Sequence, residues 1–245
     1  MDPADTAAPA PVPAPGSSRP HTAPVAWVPA PRWRLTMIGV LGGTFDPVHL
    51  GHLRPALDCL QSLGLAELRF IPLNVAVHRP QPEAAAPWRL AMLEAAIAGQ
   101  PGFRVDTREL GRPGGSFSYD TLQSLRAELG EARPLCLLLG GDAFRGFADW
   151  HRPREILDLA HLVVMQRPGV CGPLAPGLEV LCAGRTCEDP HVLREVPGGR
   201  ILFQAVTQME IASTRVRALL RAGRGARYLV PEAVLALIAQ AGLYR

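Results

Sequence analysis

Two patterns alternate along residues 37–245: short uninterrupted apolar runs, and apolar positions spaced three and four apart. The runs at residues 37–41, 68–72, 135–139, 162–165 and 201–203 have the length and aliphatic content of strands buried on both faces. Residues 103–105 read as a further short strand. From about residue 48, Leu50, Leu53, Leu57 and Leu60 share one helical face, as do Leu90, Leu93 and Ile97 within 88–97. Similar spacing predicts helices over 119–129, 214–222 and 232–240, whereas the Pro- and Gly-containing stretch between 165 and 201 predicts no definite element. Strands and helices alternating in this way imply an α/β fold of a single domain. Its sheet is expected to be a Rossmann-like, doubly wound parallel sheet with helices on both faces and right-handed crossovers. Ligands in such folds bind at the carboxyl ends of the strands. Three segments fall there: Gly42-Gly43, residues 74–79, and residues 140–142.

Composition changes this picture at one end. Residues 1–36 hold nine prolines and many alanines without apolar periodicity, so they are expected to be a disordered extension, neither domain nor signal peptide. Met37 directly precedes the first strand, which suggests a natural start there and makes 1–36 dispensable. No run approaches the ~18 apolar residues of a membrane span. The net charge of +3 is spread along the chain, a poor footprint for nucleic acid. All 25 basic residues are arginine, so any basic side chain that meets a phosphate must be an arginine. The five cysteines have no zinc-type spacing, and their odd number without a secretory leader favours reduced thiols in the cytoplasm.

The densest chemistry lies at residues 41–52, LGGTFDPVHLGH. Gly42 and Gly43 would let the backbone turn sharply beside a ligand. His49 and His52 would share a face of the first helical turn, where unpaired N–H groups and the positive dipole end suit an anion. Gly51 inside that helix makes sense if something flat packs on it. A phosphate site is the reading these residues support.

Residues 42–52 match at every specified position the pattern G-G-x-F-D-P-x-H-x-G-H. The chain thereby resembles the nucleotidyltransferases with an H-x-G-H signature, related in fold to class I aminoacyl-tRNA synthetases. Within them it is most similar to the bacterial nicotinate mononucleotide adenylyltransferases. The resemblance implies that His49 and His52 contact ATP phosphates and stabilise charge at the α-phosphorus, with Gly42, Gly43, Thr44, Phe45 and Gly51 lining the nucleotide. Residues 211–217 resemble the family's I-S-x-T-x-x-R, with Ala212 in place of the serine, which implies that Ser213, Thr214 and Arg217 hold the β and γ phosphates. A plain N-cap by Ser213 or Thr214 is the alternative. Asn74, His78 and Arg79 resemble the loop N-x-P-P-H-K/R without its prolines, and would otherwise be ordinary surface residues.

Ser116, Phe117 and Ser118, followed by Asp120-Thr121-Leu122, resemble the S-Y-T/S-x-D-T-L segment that binds the pyridine carboxylate. Helix capping by Ser118 is the plainer reading. Trp150 matches a tryptophan that packs on the pyridine ring, or is simply core. Asp142 and Arg167 match positions near the nucleotide; His21, His151, His161 and His191 match none. The implied reaction is transfer of AMP from ATP to nicotinate mononucleotide, with Mg²⁺ carried mainly by the ATP phosphates and no membrane or nucleic-acid partner. Homo-oligomerisation stays open. Rival readings are an adenylyltransferase for nicotinamide mononucleotide or phosphopantetheine, and a nucleotide-binding regulator that has lost turnover.

Overall fold

A computed structural model describes residues 37–77, 80–166 and 173–245. Its strands are β1 (Ile38–Gly43), β2 (Glu67–Pro72), β3 (Phe103–Val105), β4 (Leu135–Gly140), β5 (His161–Gln166), β6 (Thr186–Cys187) and β7 (Ile201–Ala205). Its helices are α1 (Leu50–Ser62), α2 (Ala86–Ile97), α3 (Ser118–Leu129), α4 (Gly141–Arg145), α5 (Pro153–Leu159), α6 (Pro176–Cys182), α7 (Ser213–Arg221) and α8 (Glu232–Ala241). All strand pairs are parallel, in the order β3-β2-β1-β4-β5-β7-β6. The expected doubly wound single domain is therefore observed. Elements α4, α5, α6 and β6 lie where the apolar pattern was too short or too interrupted to predict them.

Alternation along each strand divides the core in two. In β4, Leu135, Leu137 and Leu139 join Leu122 and Leu125 of α3, Ile156 and Leu157 of α5, and Leu178 and Leu181 of α6. Cys136 and Leu138 face the other way, with Ala56 and Cys59 of α1, Met92 and Leu93 of α2, Val216 of α7, and Val234 and Ile238 of α8. Both faces of the central strands are thus dry, which is why they read as continuous apolar runs. Burial pushes the Cys59 thiol up to about 12, and Cys136 is raised for the same cause, so both behave as inert apolar groups.

The strand order reverses between β1 and β4, whose following segments leave towards opposite faces. A crevice outside the carboxyl ends of these two strands is the expected ligand position. Gly43 and Gly140 end the two strands there.

Candidate active site

At the end of β1 the chain makes its turn later than the glycines suggested. Gly42 and Gly43 are still strand; the left-handed residue is Phe45 (φ 49°), followed by a cis peptide between Asp46 and Pro47. A Cβ on Gly43 would meet the Phe45 ring at 2.9 Å, whereas Gly42 has open space above it. Gly43 therefore makes room for a side chain, and Gly42 leaves the backbone accessible.

His49 is the N-cap of α1, which begins at Leu50 and not near residue 48. Its ring stacks on that of His52, with centroids 3.7 Å apart and 23° between the planes. The His49 N–H donates to His52 Nδ1 at 3.3 Å, which leaves the ring proton of neutral His52 on Nε2. The flat group against Gly51 is the His49 imidazole itself: a Cβ there would come within 3.0 Å of His49 Nδ1 and 3.3 Å of Ile211. Phe45, expected beside ATP, is instead 1% exposed and packs edge-on beneath His52 at 5.2 Å. It is a support for the imidazole. Burial pulls the pKa of His49 down to about 4; His52 is held well below the ordinary value by burial and then by the charge of His49. Both rings are neutral near pH 7. The His49 side chain faces the His52 backbone N–H in a reciprocal capping box, and its Nδ1 is buried against Gly51.

Helix α7 reaches the same turn. The Ser213 hydroxyl donates to the Pro47 carbonyl at 3.0 Å. Neither Ser213 nor Thr214 is the cap; that position is Ala212, and both hydroxyl residues lie inside the first turn. Arg217 donates from Nη1 to the Asp46 carbonyl (2.7 Å) and from Nε to Glu83 (2.8 Å), so two of its three nitrogens already have partners within the protein. Glu83 also pairs with Arg221.

The residue that joins these parts is Asp46, which the sequence reading did not single out. It is 2% exposed and accepts from the backbone N–H groups of Glu83 (2.8 Å) and Ala84 (3.1 Å) and from the Tyr244 hydroxyl (2.6 Å). Burial, then hydrogen bonding to Asp46, raises the Tyr244 phenol far above its usual range. Arg89, fully buried on α2, donates to the carbonyls of Thr44 (2.9 Å) and Ala84 (3.1 Å). The histidine turn, the segment before α2, α7 and the last tyrosine are thus one hydrogen-bonded unit. Only the aspartate in the F-D-P motif gave a local signal for it.

A second cluster lies beyond β2 and β3. Val75 bridges to Gly115, and the Ser116 N–H donates to the Val75 carbonyl at 3.1 Å. The Asn74 N–H donates to Ser116 Oγ (3.1 Å), and its side-chain amide donates to the Arg112 carbonyl (3.3 Å). The two segments expected to hold the second substrate, at Asn74 and at Ser116–118, are therefore brought together. Phe117 caps α3 with no side-chain hydrogen bond, and Ser118 is the first helical residue. Among the described residues, the Phe117 ring lies 4.6 Å from that of His151, which matched no motif. Trp150 instead packs against Phe147 (5.4 Å) at the edge of the core. Asp142 follows β4 with its carboxylate in solvent, paired to Arg145, and makes no contact with the histidine turn. His78, Arg79 and Arg167 lie outside the described residues.

Residues 40–219 match the cytidylyltransferase-like family. A relative from Methylococcus capsulatus, named probable nicotinate-nucleotide adenylyltransferase, is 51% identical over 209 residues, 85% of this chain and 99% of its own. One of the same name from Halorhodospira halophila is 47% identical over 213 residues, 87% of this chain and 97% of its own. In fold, the chain is similar to the Plasmodium falciparum nicotinic acid mononucleotide adenylyltransferase solved with NaAD. That likeness has a TM-score of 0.61 at 15% identity and covers 85% of this chain and 97% of that one. With these relatives, and with the glycine and histidine turn set at the switch point of its sheet, the chain belongs to the nicotinate-nucleotide adenylyltransferase family.

Proposed function

We propose that residues 37–245 form the catalytic domain of a nicotinate-nucleotide adenylyltransferase, in which His49 and His52 serve the transfer of AMP from ATP to nicotinate mononucleotide. The products are nicotinate adenine dinucleotide and pyrophosphate. The observation that carries the assignment of roles is the stacked, neutral imidazole pair at the start of α1, beside the carboxyl ends of β1 and β4. An oxygen of the substrate's 5′-phosphate attacks the α-phosphorus; one P–O bond forms and the bond to the bridging oxygen of the β-phosphate breaks. The nucleophile is already ionised near pH 7, so no protein base is required. The protein's part is to position the reactants and to meet the charge that develops between them.

In this reading the triphosphate lies over Gly42, Gly43 and Thr44 and against the start of α1. The His52 Nε2–H is a donor to it, and the His49 ring stacked on His52 meets the same charge. Ser213 and Thr214 in the first turn of α7, together with Arg217, frame its far end. Arg217 contributes either its remaining nitrogen or the group released from Glu83. Nicotinate mononucleotide lies on the Asn74 and Ser116–118 side, where the first turn of α3 offers backbone donors to a carboxylate. The aromatic face there is shared by Phe117 and His151 more than by Trp150. Among the described residues no three or more His, Cys, Asp or Glu side chains form a metal cage. Mg²⁺ enters as part of the MgATP substrate, carried by phosphate oxygens and water. No described helix is long and apolar enough to cross a membrane; the assignment of the reaction to the cytoplasm rests on the cysteine pattern of the sequence.

The test is product formation by purified protein with MgATP, offered nicotinate mononucleotide and nicotinamide mononucleotide in parallel and resolved by chromatography. A strong preference for the acid supports the reading. Equal use of both would retain the chemistry and remove the carboxylate-reading role of the α3 start; no product from either would refute the assignment.

A further inference from the structure

Beneath the Asn74 and Ser116 segments lies a carboxylate that neither the sequence reading nor the family likeness singles out. Glu109 is 7% exposed and accepts a 2.6 Å hydrogen bond from the Thr121 hydroxyl, one turn into α3. The Ser116 hydroxyl lies beside the same carboxylate, and its oxygen accepts the Asn74 N–H. Arg112 closes the web from the other side: its Nη1 donates to Thr121 Oγ1 (3.2 Å), and its carbonyl accepts from the Asn74 amide (3.3 Å). Four chain segments, at 74, 109–112, 116 and 121, are therefore fixed relative to one another through one buried acceptor. None of these bonds uses the backbone donors at the first turn of α3.

We propose that Glu109 is a positioning residue for the pyridine-side substrate: by holding Thr121, and with it the Arg112, Asn74 and Ser116 web, it sets where the first turn of α3 and the 74–77 segment stand. This rests on the functional reading above. None of the hydrogen bonds of this web reaches the histidine turn or α7, so its influence falls first on one of the two substrates.

Steady-state kinetics of Glu109→Gln, with each substrate varied in turn, tests this, with unfolding midpoints measured alongside. Gln has the same shape but presents an amide NH₂ to one of the two hydroxyls. The expected result is a rise of about tenfold in KM for nicotinate mononucleotide, the scale of one lost charge-assisted hydrogen bond. KM for MgATP should stay within about twofold, since no bond of this web reaches the histidine turn. Thr121→Val, which removes one donor and leaves Glu109 and Ser116 in place, should shift the same KM by a smaller factor, and the double variant should show less than the product of the two effects. A lower midpoint with both KM values unchanged, or equal changes in both, would overturn the proposal and leave Glu109 a structural residue only. If Glu109→Gln does not fold, Thr121→Val alone decides between the same outcomes. Failure of the wild-type protein to use nicotinate mononucleotide would instead refute the functional reading, and the inference with it.

Discussion

Binding of MgATP should draw a proton onto the histidine pair, and the structure sets the size of the effect. In the free protein burial holds His49 near a pKa of about 4, so at pH 7 it carries almost no proton. One phosphate charge placed at roughly 4 Å, in the effective dielectric of a partly buried site, stabilises an imidazolium by about 4 kcal/mol. At 1.36 kcal/mol per unit this is about 3 units, which moves His49 from about 4 to about 7. His52 is pressed the other way by its neighbour's charge, and with rings 3.7 Å apart the pair should take up one proton, not two. By linkage, binding should therefore take up about half a proton at pH 7, close to one at pH 6 and about a tenth at pH 8, and affinity should strengthen as pH falls across that window.

Titration calorimetry reads this directly. ATP with saturating Mg²⁺ is added in the absence of the second substrate, in buffers of different ionisation enthalpy. The slope of observed enthalpy against buffer enthalpy counts the protons. His49→Asn keeps a polar side chain at the N-cap but has no titrating group, and should bring the slope near zero at pH 6. The reasoning fails if the wild-type slope is itself near zero at pH 6, or if the variant retains the wild-type slope.

Three further outcomes follow from the same geometry. His52→Ala removes a preorganised donor and should lower kcat by about 10²- to 10³-fold; near-wild-type turnover in a quenched-flow or chromatographic assay would contradict the role given to His52. Tyr244→Phe removes a buried hydrogen bond to the Asp46 carboxylate. It should cost about 1.5–3 kcal/mol, lowering the thermal midpoint by some 3–12 °C in calorimetry. His161 is fully buried, accepts from the Arg200 N–H at 3.1 Å and donates to the Val196 carbonyl at 2.9 Å, and burial lowers its pKa to about 4. Its unfolded form protonates first, so its contribution is present above about pH 6.5 and is lost as pH falls towards 4, by about 3 kcal/mol for this one group. The buried histidine pair acts in the same direction. Urea midpoints measured between pH 7.5 and 4.5 should fall accordingly, and His161→Gln should flatten part of that slope.

What the sequence disclosed divides by distance along the chain. The central strands were legible because burial on both faces leaves no polar residue to break the run, as at Leu135, Cys136, Leu137, Leu138 and Leu139. The histidines were legible because one turn of helix brings positions three apart together, so the pair is written locally. Elements of seven residues or fewer, such as α5 and α6, give periodicity too few positions to register. Helix starts slipped by one or two residues for a related reason: Ser118, Ser213 and Thr214 have the chemistry of caps, but packing places Phe117 and Ala212 at the cap positions.

The deeper gap concerns partners. In a chain whose basic residues are all arginine, a motif can name Arg217 but cannot say that Asp46 and Glu83 already hold it, because those contacts span 171 and 134 positions. The bond from Tyr244 to Asp46 spans 198. Residues that touch the substrates are thus grouped in short motifs, while those that hold them in place are scattered through the chain. Such supports carry no local pattern, and Asp46 and Glu109 emerge only when one asks where each buried carboxylate finds its donors. His49 and His52, by contrast, are paired to each other by stacking and by their reciprocal capping contacts, and burial keeps both neutral. A phosphate bound beside such a pair acts first on its charge, which is why proton uptake on binding is the measurement that bears most directly on this site.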